Sequence, residues 1–233
     1  MYFIGDIHGN FNGLIRNLNE FEIKNENLIQ VGDFGIGFRS EKDDLLFMKK
    51  INDDLLSNNN RLFVIRGNHD DPKFFDGSIV LSNLSLLPDY SILNLEGKTL
   101  LLVGGAISID RTDRRVDLNY WQDEIFKLDV ERINSLVVAN KIDIVVTHTA
   151  PSFVFPQGSG TLIRFFTKKD KTRPQELLEE RKLLDKFHAI VTCQNKPTHW
   201  YYGHFHNSNI EIIDGIKFCL LNIDEMSPLN FNA

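Results

Sequence analysis

The sequence predicts an α/β fold with additional antiparallel strands, and three observations carry that prediction. Short runs rich in Val, Ile and Leu recur along the chain and close on Gly or Asp. Segments with one apolar face at helical spacing separate several of them. Near the end of the chain, an Asp-Gly pair stands between two β-rich runs, which marks a hairpin.

Taken in order, YFI leads into GDIHG, LIQV into GDFG, and LFVI into RGNHD. LLLV leads into GG, the run 142–146 into THTAP, and WYY into GHFH. Apolar runs of this length, closed by glycine, read as strands buried on both faces. Residues 12–21 place Leu14, Ile15, Leu18 and Phe21 on one helical face, and residues 41–56 do the same with Leu45, Met48, Leu55 and Leu56. Residues 129–139 and 174–187 read as helices too, the latter with Pro174 suited to a first turn. Residues 79–103 are strand-like pieces with no helix between them. Asp214-Gly215 sits at the turn of NIEIIDGIKFCLLNI.

Composition narrows the class. The 233 residues are 42% hydrophobic and 25% charged, with no internal repeat, low-complexity stretch or long linker, so 1–233 is expected to be a single domain. The net charge of -6, with no long basic run, argues against extended nucleic-acid binding. Two distant cysteines, Cys193 and Cys219, fit a reducing, cytoplasmic protein rather than a disulfide scaffold. The opening residues lack the basic and apolar regions of a signal peptide, and no apolar run approaches the ~20 residues of a membrane span.

The strand ends deliver Asp6 and His8, then Asp33, then Asn68 and His69, then His148, then His204 and His206. Ligands of open α/β sheets bind outside the carboxyl ends of the strands. Singly, an Asp after a strand is a turn or cap residue and a His is an ordinary polar side chain. Jointly they are different: five of the seven histidines fall in this set. So many carboxylate, imidazole and amide groups are costly to bury unpaired, and bound cations would offset that cost. Oxygen and nitrogen donors without thiolate suit Mn, Fe, Zn or Ni. Eight such groups exceed the needs of one ion and match a two-metal centre, whose usual work is hydrolysis of phosphate esters or, less often, of peptides. In YYGHFHN, extended backbone would project His204 and His206 to the same side.

GDIHGN, VGDFG, RGNHD, THTAP and GHFH, in this order, resemble the five-motif signature of the calcineurin-like metallophosphoesterases, and GDIHGN with RGNHD is closest to their phosphoprotein-phosphatase branch. The resemblance implies two packed mixed β-sheets flanked by helices, a four-layer sandwich with the site at the strand ends. It implies that Asp6, His8 and His206 hold a first divalent metal, that Asp33 bridges both, and that Asn68, His148 and His204 complete the second. Manganese is the expected metal, with Fe, Zn, Ni or Mg as alternatives. His69 would bind no metal and would protonate the leaving oxygen.

The sequence also departs from that branch. Its G-D-x-x-D-R motif is GDFGIGFR here, so Ile36 stands where a carboxylate orients the catalytic histidine and Gly37 where an arginine contacts phosphate. Asp70 follows His69 but need not replace that carboxylate. The stretch GGAISIDRTDRR, which resembles one in bacterial and phage members, offers Arg111, or its neighbours Arg114 and Arg115, as a substitute phosphate clamp. Tyr120 and Trp121 are candidates for the mouth. Residues 156–174 read as a solvated loop, or as a lid carrying Lys168, Lys169, Lys171 and Arg173.

The expected function is hydrolysis of phosphomonoesters on a small molecule, nucleotide or phosphoprotein, by a metal-activated hydroxide with His69 as general acid. Phosphodiester or nuclease chemistry at the same site is the alternative. A non-catalytic binding scaffold ranks behind both, because it would not need to keep every candidate ligand and His69.

Overall fold

The computed structural model describes residues 1–79, 81–156 and 168–229. Among them, strands β1 (Tyr2–Ile4), β2 (Asn27–Gln30), β3 (Arg61–Val64), β4 (Leu84–Leu86) and β11 (Met226–Pro228) form one sheet, in the order β11-β1-β2-β3-β4. Strands β5 (Ser91–Leu95), β6 (Lys98–Val103), β7 (Ile144–Thr147), β8 (His199–Tyr202), β9 (Asn209–Ile213) and β10 (Ile216–Leu220) form a second, in the order β5-β6-β7-β8-β10-β9. The helices are α1 (Phe11–Glu20), α2 (Glu41–Ser57), α3 (Val130–Ala139) and α4 (Arg173–Gln194).

Alternation along the strands builds the layers. Phe3, Ile29, Val31 and Ile65 of the first sheet meet Leu100, Leu102, Ile144, Val146 and Tyr201 of the second in one buried layer. The intervening residues of the first sheet, Ile4, Leu28, Leu62 and Val64, pack against Leu14 and Leu18 of α1 and Met48, Ile51 and Leu55 of α2. Leu101, Val103, Val145, Trp200 and Tyr202 of the second sheet pack against Ile133 of α3 and Leu184, Phe187 and Val191 of α4. The result is helix, sheet, sheet, helix, with both sheets mixed. Asn10, Ser40 and Asp129 cap the first three helices by accepting backbone N–H groups at their N-termini.

Both antiparallel expectations have structural counterparts. β5 and β6 pair antiparallel, and β9 and β10 form the hairpin whose Asp214 and Gly215 both adopt positive φ, as a tight two-residue turn requires. β4, by contrast, joins β3 in parallel. No described helix is long and apolar enough to cross a membrane.

At the centre of the inter-sheet layer, the rings of Phe3 and Tyr201 stack at 3.6 Å with 5° between their planes. Both are essentially buried. Tyr201→Ala is expected to destabilise the protein by about 3–5 kcal/mol, the usual cost of emptying an aromatic site in a core. Urea denaturation read by circular dichroism checks this, and a loss below about 1 kcal/mol would show that the two sheets do not depend on the stack.

Candidate metal centre

Every candidate side chain stands on a loop leaving a strand, and the loops are joined by backbone hydrogen bonds. The carbonyl of Asp33 accepts N–H groups from Ile7 (3.0 Å) and His8 (2.8 Å), which fastens the loop after β2 to the loop after β1. The His148 carbonyl accepts the Gly203 N–H (3.0 Å), and the Asp6 carbonyl accepts that of Asp224 (2.9 Å). A Cβ at Gly67 would strike the Asp33 carboxylate, and one at Gly203 would strike that of Asp6. The glycines of RGNHD and GHFH are therefore required by the packing of candidate ligands.

Two groups of donor atoms result. Asp6, His8, Asp33 and His206 present atoms all within 4.8 Å of one another, and so do Asp33, His148 and His204. Asp33 belongs to both. In the first group, the Nε2 atoms of His8 and His206 face each other at 2.9 Å and lie 3.9 and 3.3 Å from Asp6 Oδ2. In the second, His148 Nε2 is 3.1 Å from Asp33 Oδ1 and 3.2 Å from Asn68 Oδ1. Asn68 donates through Nδ2 to Ser108 Oγ (3.1 Å), which leaves its oxygen turned toward His148. His148 Nδ1 lies 2.8 Å from the Val31 carbonyl, so its Nε2 faces the site.

His204 and His206 converge by a different route from strand alternation. Both have positive φ, 68° and 48°, as do His8 (49°) and Asp33 (55°). They follow β8 in a left-handed turn, and each imidazole joins a different donor group. Such backbone is uncommon outside glycine and concentrates at functional sites, where surrounding contacts hold it.

The electrostatics couple the buried carboxylate to the imidazoles around it. Burial alone would raise the pKa of Asp33, but His148, His69 and His8 hold it well below the usual carboxylate range. Burial opposes charge on His148, yet Asp33 lifts it to about 9. His204, desolvated and beside His148, is pushed well below the ordinary histidine value. The donor set is carboxylate, imidazole and amide without thiolate, since Cys219 lies in the layer between the sheets and Cys193 is exposed. These residues fit hard or borderline divalent cations.

His69 lies against this centre without joining either donor group. Its backbone N–H donates to Asp33 Oδ1 (2.7 Å), and its Nε2 is 2.5 Å from Arg114 Nη2. Arg114 is buried and paired with Asp110, Nε to Oδ1 at 2.8 Å. Burial pushes His69 down to about 4, against the pull of Asp33 and with the help of Arg114.

The clamp role expected for Arg111 does not fit its surroundings. Its guanidinium is taken up by two carboxylates, Asp170 (2.7 Å) and Glu176 (2.8 Å), with Thr172 at 3.2 Å, and it fastens its loop to the start of α4. With Tyr120 it lines a cavity of ≈ 680 Å³ against α4. Arg114, three residues on, is the arginine that lies against His69. The lid expected over 156–174 lies largely outside the described residues; of its cations, Lys169 pairs with Asp113, and Arg173 is buried against Asp170 and Glu176.

Asp70 does not replace the carboxylate missing at Ile36. Its two oxygens accept the N–H groups of Phe34 (3.1 Å), Gly35 (2.7 Å), Ile36 (3.2 Å) and Gly67 (2.7 Å). It thereby holds the Asp33 loop to the Asn68 loop. Burial, and the nearby charge of Asp33, raise it to about 7. Sequence reading also missed Arg66, whose buried guanidinium binds Asp89 (2.6 Å) and the carbonyls of Asp123, Glu124 and Ile125, framing the loop that carries Ser108 and Arg114. The first position of RGNHD was its one available signal.

The model of the calcineurin-like phosphoesterase family matches residues 1–208. The chain belongs to that family, a class of metal-dependent hydrolases acting on phosphate esters. No curated protein matches it significantly. Among solved structures, a provisionally designated 5′-nucleotidase from Staphylococcus aureus is 14% identical with a TM-score of 0.50, over 96% of this chain and 48% of that one. The chain thus spans about half the length of that relative. The phosphopantetheinyl hydrolase of Mycobacterium tuberculosis is 14% identical with a TM-score of 0.47, over 96% and 89% of the two chains. At these identities the likeness is one of fold.

Two expectations follow from the geometry. Asp70→Ala leaves four buried N–H groups without an acceptor, and Asp70→Asn leaves one oxygen to serve them. The alanine variant should lose about 3–5 kcal/mol and the asparagine variant about 1–3 kcal/mol, measured by chemical denaturation of metal-free protein; equal stabilities would remove the bracing role. His148, protonated up to about pH 9, must shed its proton to present Nε2 to a cation. Binding of Mn²⁺ near pH 7 should therefore release about one proton. Calorimetry in buffers of different ionisation enthalpy counts it, and no release would exclude His148 as a ligand.

Proposed function

We propose that the protein hydrolyses phosphomonoesters at a pair of divalent cations, manganese first among them. The observation that carries this reading is that two donor groups share Asp33, with His69 directly beside it and Arg114 against His69. Asp6, His8, Asp33 and His206 would hold one cation, and Asp33, Asn68, His148 and His204 the other. When bound, the cations supply an activated water nucleophile and neutralise phosphate oxygens.

The remaining work falls to the chain's own residues. Arg114 has a single carboxylate partner, Asp110; its other nitrogens meet His69 and, at 3.4 Å, the carbonyls of Asn68 and Asn119, neutral partners that an arriving phosphate can displace, whereas Arg111 is held by two carboxylates. A phosphate dianion competes with His69 for the Arg114 guanidinium. As Arg114 turns to the phosphate, His69 loses a cation and gains an anion as neighbours, and both changes favour its protonated form. His69 is then placed to pass that proton to the leaving oxygen. Arg114 takes the phosphate-contacting role that Gly37 cannot fill.

Steady-state kinetics of the Mn²⁺-loaded protein on p-nitrophenyl phosphate and an alkyl phosphate test this. Arg114→Ala should lower kcat/KM about 10–150-fold, the range for losing a charged hydrogen bond of about 1.5–3 kcal/mol. Arg111→Ala should lower thermal stability while changing kcat/KM less than about threefold. His69→Ala should cost about 10²–10⁴-fold on the alkyl ester and less on the nitrophenyl ester, whose leaving group needs no proton. Asp33→Asn should lose bound metal. Greater damage from Arg111→Ala than from Arg114→Ala would reverse the assignment, and hydrolysis of bis-p-nitrophenyl phosphate in preference to the monoester would replace this reading with the diesterase one.

A further inference from the structure

The ring of Phe38 is 40% exposed, an open position for a large apolar side chain beside a polar centre. It lies nearly parallel to the His69 imidazole, with centroids 5.8 Å apart and 19° between planes. Trp121 meets it edge-on at 5.1 Å and 87°. The flanking backbone is fixed. Gly37, at φ +99°, donates its N–H to Asp44 Oδ2 (2.8 Å), and a Cβ there would run into Asp71 and the Trp121 ring. Arg39 donates to the carbonyls of Gly35 (3.2 Å) and Gly9 (3.1 Å). Phe38 is thus held between two anchored residues, with its exposed surface next to the imidazole proposed to serve the leaving oxygen.

That placement constrains what the surface meets. An ester bound with its phosphorus over Asp33 directs its leaving group toward the residue that protonates it. On the His69 side, the leaving group then lies over Phe38, which the buried Trp121 backs edge-on. A planar ring buries apolar area there and gains from offset or edge-on aromatic packing, which an alkyl or open-chain polyol group does not.

We propose that Phe38 and Trp121 form an aromatic shelf that selects phosphomonoesters whose leaving group carries a planar ring. The inference rests on the reading of this centre as a phosphomonoesterase with His69 on the leaving-group side.

Phenylphosphonate and methylphosphonate test it without turnover, because neither has a scissile ester bond. Calorimetry on the Mn²⁺-loaded protein should give a dissociation constant about tenfold lower for the phenyl compound. In Phe38→Ala the ratio of the two constants should fall to about one, and Phe38→Leu, which keeps apolar area without a ring face, should lie between. A second pair, adenosine 5′-monophosphate against ribose 5-phosphate, sets the ring one sugar away; both carry a scissile ester, so their constants are read as inhibition constants against p-nitrophenyl phosphate hydrolysis. A preference confined to that pair assigns the shelf to a nucleobase, and one confined to the phosphonates assigns it to an aryl ester. Equal constants within both pairs overturn the shelf, as does a preference that survives Phe38→Ala in a variant with native circular dichroism. The underlying reading fails separately: without hydrolysis of any monoester, a ring preference in the phosphonate pair still reports the shelf.

Discussion

The contact between Asp33 and His148 is the constraint on which the rest of the molecule depends. It sets a buried carboxylate against a buried imidazole, 3.1 Å apart, and the two come from different sheets. Each partner is tolerable inside the protein because of the other, since an unpaired buried charge is strongly unfavourable. Both strand ends must therefore reach the same point. The inter-sheet layer, with its Phe3–Tyr201 stack, sets the separation at which they do so. The Asp33 loop is further tied to the β1 loop through its own carbonyl and to the Asn68 loop through Asp70.

Much of this was legible in the sequence, for a physical reason. A strand buried on both faces must be apolar, so a polar residue within a few positions of its end is conspicuous, and Asp6, Asp33, Asn68, His148 and His204 all announce themselves that way. The layers also follow from alternation within runs such as LLLV, where neighbouring residues face opposite cores. Which strands share a sheet did not follow, because parallel strands of either sheet carry the same apolar pattern. Nor did the left-handed backbone at His8, Asp33, His204 and His206, whose residue types do not require it. Extended chain would line up His204 and His206 on one side; in the structure left-handed backbone turns each imidazole toward a different donor group.

The two arginines mark where local reading fails. Arg111 and Arg114 stand in one short stretch and are equivalent by composition. They are told apart by carboxylates: Asp170 and Glu176, roughly sixty residues further on, occupy Arg111, and only Asp110 occupies Arg114. Buried acids of the same kind shape the surrounding loop. Glu180 accepts the N–H groups of Ile107 and Phe126, Glu124 accepts that of Ser108, and burial raises both to about 7. The distance between sequence neighbours and spatial neighbours is what the fold supplies here.

The two donor groups are unequal in their access to solvent. His206 is exposed and His8 is half-buried, whereas His148 is fully enclosed and Asp33 almost so. An ion in the outer group could trade with ions in solution by the swing of one imidazole. An ion in the inner group, where only His204 is partly exposed, would leave more slowly, by an event governed by local opening of the packed loops. The centre would then behave as one durable post and one replaceable post, and the composition of a purified sample would record the history of its buffers in the outer position far more than in the inner one.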